Sequence, residues 1–131
     1  MKKFIWKTKG QTLYWLSDKV KKSKVPFLLT FKLRNWKNNP DLILKKIKQN
    51  FMNKNIAIRS SSINEDTVTT SNAGAYESFL NVPYNKNKLV AEKINKVFDS
   101  YNKKNVNDEV LIQEMIEDIA FSGVIFTHEI K

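Results

Sequence analysis

From residue 11 to 22, Leu13, Leu16 and Val20 recur at helical spacing beside a run of lysines, and the pattern predicts a first helix. Lys24-Val25-Pro26 ends it, and the apolar run Phe27-Leu28-Leu29-Thr30-Phe31 predicts a short buried strand. Asn39-Pro40-Asp41 starts the next helix, because proline fits a first helical turn and an aspartate there faces the positive end of the dipole. Ile43, Leu44, Ile47 and Phe51 form its apolar face, which ends near Asn53-Lys54-Asn55. Ile56-Ala57-Ile58 predicts a strand leading into a polar loop from Arg59 to Gly74, and residues 76–82 another short strand. A helix over 88–101 places Val90, Ile94, Val97, Phe98 and Tyr101 on one face. Two strands, 109–116 and 121–127, follow, joined by a turn at Glu117-Asp118. This alternation of helices and strands gives an α/β or α+β class with a mixed sheet. There is no internal repeat and no linker. The chain stops at His128-Glu129-Ile130-Lys131, directly after the last expected strand, a poor place for a domain to end, so the 131 residues are expected to be one part of a domain.

Composition narrows the chemistry. The chain has no cysteine and one histidine, His128, which excludes a disulfide framework, thiolate metal sites, a cysteine nucleophile and any site needing several imidazoles. The opening Met1-Lys2-Lys3-Phe4-Ile5-Trp6 mimics a secretory signal, but Lys7 interrupts its apolar run far short of the ~7–15 residues such a signal needs. No stretch reaches the ~18 apolar residues of a membrane span, so a soluble, cytoplasmic protein with no membrane partner is expected. A net charge of +10 invites a nucleic-acid reading. Its makeup weighs against one: the cations are 21 Lys and two Arg, spread along the chain with 15 Asn, whereas base readout and phosphate forks favour Arg. A basic nucleic-acid-binding domain stays a minor alternative.

The chemistry concentrates in residues 56–82, IAIRSSSINEDTVTTSNAGAYESFLNV. A strand delivers Arg59, then three hydroxyl residues, the acidic pair Glu65-Asp66, and the small polar stretch Ser71-Asn72-Ala73-Gly74. Arg59 offers a rigid five-donor fork suited to phosphate oxygens, and small residues let backbone N–H groups approach an anion. By composition alone the loop fits two descriptions equally: an anion loop, or a turn in which Arg59 pairs with Glu65 or Asp66 and the serines cap.

The order of residues goes further. Arg-Ser-Ser, Glu-Asp, Ser-x-Ala-Gly and Leu-Asn-Val closely resemble the N-terminal nucleotide-binding domain of pyruvate phosphate dikinase and phosphoenolpyruvate synthase, an ATP-grasp family. Lys9-Gly10, Thr12-Leu13, Leu16 and Val25-Pro26 resemble its first turn, helix and strand. Residues 110–116, VLIQEMI, and 122–127, SGVIFT, resemble its hinge and following strand. The resemblance implies that residues 1–131 are a partial AMP/ATP-binding domain with the N-terminal portion of an ATP-grasp fold. It implies ATP as cofactor, with phosphoryl transfer as the parent activity. Lys9 and Arg59 would contact the phosphates and stabilise charge during transfer. Ser71, Ala73 and Gly74 would form the loop over the phosphates. Gln113, Glu114, Met115 and Ile116 would hold the adenine, backbone groups reading its edge and Met115 packing on its face; apolar alternation of this kind also describes an ordinary core strand. Glu65 and Asp66 read as loop-structuring partners of Arg59 rather than metal ligands. The family's Mg²⁺ ligands follow the Phe-Thr strand and have no counterpart in these residues, so the chain is expected to be inactive alone. Its implied partners are ATP, the rest of the ATP-grasp domain and a phosphohistidine domain. His128 occupies a position where the family has Arg and reads as a strand-end residue, not the phosphorylated histidine. The rival within the same fold is a non-catalytic interaction or regulatory module.

Overall fold

The computed structural model describes residues 7–65, 74–101 and 104–125. Four strands, β1 (Leu28–Lys32), β2 (Asn55–Ser61), β3 (Ser78–Pro83) and β4 (Glu109–Glu114), form one sheet in the order β1-β4-β2-β3. Among the described residues four helices accompany it: α1 (Lys9–Ser17), α2 (Leu33–Asn38), α3 (Pro40–Asn50) and α4 (Asn87–Asp99). Among the described residues no helix is long and apolar enough to cross a membrane.

Every neighbouring pair in the sheet is antiparallel, which corrects the expected mixed sheet and places the fold in the α+β class. The reason is insertion. The helical crossover from β1 to β2 does leave those strands parallel, but β4 enters between them and runs opposite to both. The crossover through α4 leaves β3 and β4 parallel in the same way, with β2 between them.

The core lies on one face of the sheet, where α3 and α4 cover Phe31, Ile56, Ile58, Val82, Val110 and Ile112. The helical faces expected from spacing supply it: Ile43, Ile47 and Phe51 from α3 and its end, and Val90, Ile94, Val97, Phe98 and Tyr101 from α4 and its end, all buried. Asn39 caps α3, its side chain accepting from the Leu42 N–H at 3.0 Å, with Pro40 at the first position. β3 carries a bulge: Ile56 and Ile58 of β2 face Val82 and Phe79, so three steps on β3 match two on β2. The extra residue is Asn81, in the left-handed region at φ 55°. That insertion puts Phe79 and Val82 on the same, core-facing side, which strict alternation would forbid.

Two expectations are corrected by burial. α1 stops at Ser17, short of Lys22, and its apolar positions do not make a core face, since Gly10 alone is buried in it. Residues 121–125 form no strand. β4, to which a hairpin partner would pair, already has β1 and β2 on its two edges, and Phe121, Val124 and Ile125 stand exposed. The rest of the 121–127 expectation, and His128, lie outside the described residues.

Candidate functional site

The face of the sheet away from the core is only partly covered. α1 crosses one end of it, against β1, β2 and β4. Its attachment is polar and close. The Thr8 hydroxyl caps the helix by accepting from the Gln11 N–H, and donates to Glu109 Oε2 at 2.8 Å. Gly10 N–H donates to Ser61 Oγ at 2.9 Å. A Cβ at Gly10 would overlap the Thr30 methyl and stand 3.3 Å from Ser61 Oγ, so glycine permits the helix to lie directly on the strands.

Beside α1 the sheet face is open. Ala57 and Arg59 of β2 alternate with the core-facing Ile56 and Ile58, and cross-strand pairing places Arg59 next to Leu111 of β4 and Ser78 of β3. Arg59, Gln113, Glu114, Met115 and Ile116 line one groove of about 450 Å³, with Pro26, Ala57, Ser78, Leu80 and Ile119 completing its walls. The four expected base contacts and Arg59, one of the expected phosphate contacts, therefore line one groove, and Lys9 and Gly74 do not line it. A larger cavity, about 650 Å³, lies between α2, α3 and α4, with Trp36, Asn95 and Phe98 in its lining; no expected site residue lines it.

Arg59 does not pair with Glu65, which corrects that half of the expected pairing with Glu65 or Asp66. Its Nη1 donates to Gln113 Oε1 at 3.1 Å, and among the described residues it has no ion pair. Glu65 instead takes Lys9, whose Nζ stands 2.7 Å from Glu65 Oε1 and 3.4 Å from the Ser60 carbonyl oxygen. Lys9 thus reaches the backbone of Ser60, the residue after Arg59 in β2. Asp66, Ser71 and Ala73 lie outside the described residues; Gly74 is exposed at φ 80°, a conformation that favours glycine.

The backbone of the hinge segment is partly engaged. Glu114 N–H donates to Phe27 O at 3.4 Å and Met115 N–H to Asn55 O at 2.9 Å, because β4 is a central strand. Edge reading by N–H groups at 114 and 115 is therefore excluded while the sheet is intact. Glu114 pairs with Lys54, and the hydrogen bond from that ammonium holds its carboxyl below the usual carboxylate range, against a smaller opposing effect of burial.

Sequence reasoning missed the polar network behind the strand ends. Tyr101 OH accepts from the Ser61 N–H at 3.1 Å and donates to Glu109 O at 2.5 Å, and burial pushes its hydroxyl well above the ordinary phenol range. Ser62 Oγ donates to Asp108 Oδ1 at 2.9 Å, and Asp108 Oδ2 accepts from the Asn105 N–H. The helix start expected at residue 11 passed over Thr8 as a cap, and its carboxylate partner, 101 positions away, had no local signature.

Residues 37–131 match the family described as pyruvate phosphate dikinase, AMP/ATP-binding domain. The match spans most of the chain, and the chain belongs to that family. It covers Arg59 and the 113–116 segment and leaves Lys9 outside. No curated protein and no solved structure matches the chain.

The described acids form no cation site of three or more protein ligands. No three of them gather closely enough to hold a cation, and Glu65 is engaged by Lys9.

Proposed function

We propose that this chain binds ATP on the open face of its sheet, as one part of an ATP-grasp nucleotide-binding domain of a pyruvate phosphate dikinase or phosphoenolpyruvate synthase-like kinase. The base and ribose occupy the groove between Leu80 and the 113–119 segment, and the phosphates meet Arg59 and Lys9. The observation that carries this reading is an arginine on the open face of β2, with a neutral Gln113 as its hydrogen-bond partner, on the same groove as Met115 and Ile116. A guanidinium has five N–H donors, so most of its fork is available to phosphate oxygens. In phosphoryl transfer the protein's share is largely positioning and charge stabilisation, which is what cations at the phosphates supply.

Since adenine edge reading at 114 and 115 is blocked, the base is held chiefly by packing against Met115 and Ile116, and edge contacts fall to residues past the end of β4. Calorimetric titration with ATP tests the reading. Arg59→Ala should weaken binding by roughly tenfold to a hundredfold, the ~1.5–3 kcal/mol of a hydrogen bond to a charged group. Arg34→Ala, removing the other arginine from the exposed surface of α2, should change it by less than about twofold. Equal losses would reduce the effect to net charge and remove the site.

A further inference from the structure

Glu65 is buried, at 6% exposure, yet only one of its two oxygens has partners. Oε1 accepts from Lys9 Nζ at 2.7 Å and from Ser60 Oγ at 2.9 Å, while Oε2 is buried without a hydrogen-bond partner. A buried half-satisfied carboxylate is a poor choice for stability alone, because an amide or an apolar side chain of the same shape avoids the desolvation of the charge. What the carboxylate does achieve is to hold an otherwise mobile lysine at two points, Glu65 Oε1 and the Ser60 carbonyl. An ammonium has three donors, so this grip leaves the third for another acceptor. The grip itself is anchored: Glu65 N–H closes a turn onto Ser62 O at 3.2 Å, and Ser62 is fixed to Asp108.

We propose that Glu65 is a positioning residue for the nucleotide site, holding the Lys9 ammonium at the Ser60 end of β2 so that its remaining N–H meets a phosphate oxygen of ATP. This rests on the assignment of the open sheet face to ATP. It adds that recognition of the phosphates depends on an acid that never touches them.

The test compares ATP with adenosine on the whole chain by calorimetry, in wild type, Lys9→Met, Glu65→Met, Glu65→Gln and the Lys9→Met/Glu65→Met double variant, with thermal melts of each. Methionine keeps the buried volume at 65 and removes the acceptor, so the fold is retained. Glutamine keeps an oxygen for Lys9. The wild-type preference for ATP over adenosine should fall by about tenfold or more in each Met variant, the scale of one hydrogen bond to a charged group. It should fall no further in the double variant. Adenosine affinity should be unchanged throughout, and Glu65→Gln should keep most of the preference.

A loss in Lys9→Met without one in Glu65→Met overturns the positioning role and leaves the ATP site standing. Tighter ATP binding by Glu65→Met would make Glu65 a competitor for Lys9 and also overturn it. Equal losses in the Gln and Met variants would assign the effect to charge rather than to position. A wild type with no preference for ATP over adenosine removes the site assignment and this role with it.

Discussion

At the scale of single residues, Glu114 ties the groove to the acid side of stability. Its carboxyl is held below the usual range by the hydrogen bond from Lys54, so the folded form binds its proton less readily than the unfolded chain does. The pair therefore stabilises the fold above the ordinary carboxylate range, and that contribution disappears as pH falls through the lowered value. Lys54 is half exposed, so the gain is at most about 1 kcal/mol. Thermal melts of wild type and Glu114→Gln should show a small gap at neutral pH that closes on acidification; a gap that widens toward acid would contradict the pairing. Arg59 was legible as a candidate because an arginine after a strand, followed by small polar residues, is a local pattern. Its partner was not. Gln113 lies 54 positions away, and Lys9 with Glu65 is separated by 56, so only the folded sheet could decide which cation takes the acid.

At the scale of elements, α3 and α4 could be read because each carries a periodic apolar stripe, and α3 a proline and a capping asparagine as well. α2 could not. It is six residues long, Lys32 makes no side-chain cap, and its first N–H groups are satisfied by Asp108 O at 2.8 Å and Val106 O at 3.0 Å, contacts that no local pattern announces. α1 misled in the opposite direction, since its leucine spacing suggested an apolar face while the helix docks through Thr8, Gly10 and Gln11. Gly10→Ala tests that docking. The new methyl would meet Thr30 and displace α1, and overpacking of this kind costs about 1–3 kcal/mol. A lower melting temperature, together with weaker ATP binding because Lys9 moves with the helix, is the expected outcome. A stabilised variant, as an ordinary helix glycine would give, would show that α1 does not lie on the strands.

At the scale of the whole molecule, the fold divides the sheet into a sealed face and an open one. The core was legible as two stripes of apolar residues; the open face was not, because its residues come from separate strands and become one surface only when β4 enters between β1 and β2. Beyond the groove the apolar side chains continue outward, with Phe121 at 96% and Ile125 at 93% exposure. Such a patch favours association, opposed by the +10 charge. Sedimentation should show self-association that grows with protein concentration and with salt, and that Phe121→Ser/Ile125→Ser reduces; a monomer under all these conditions would contradict it. The central claim is that ATP occupies the open face. The direct measurement is an amide NMR map of the intact chain titrated with ATP. The account predicts shifts at Ala57, Arg59 and Ile116 to Ile119, with Gly10 following, and none around Trp36, Asn95 and Phe98 in the larger helical cavity. Shifts confined to that cavity, or no saturable shifts at all, would contradict it.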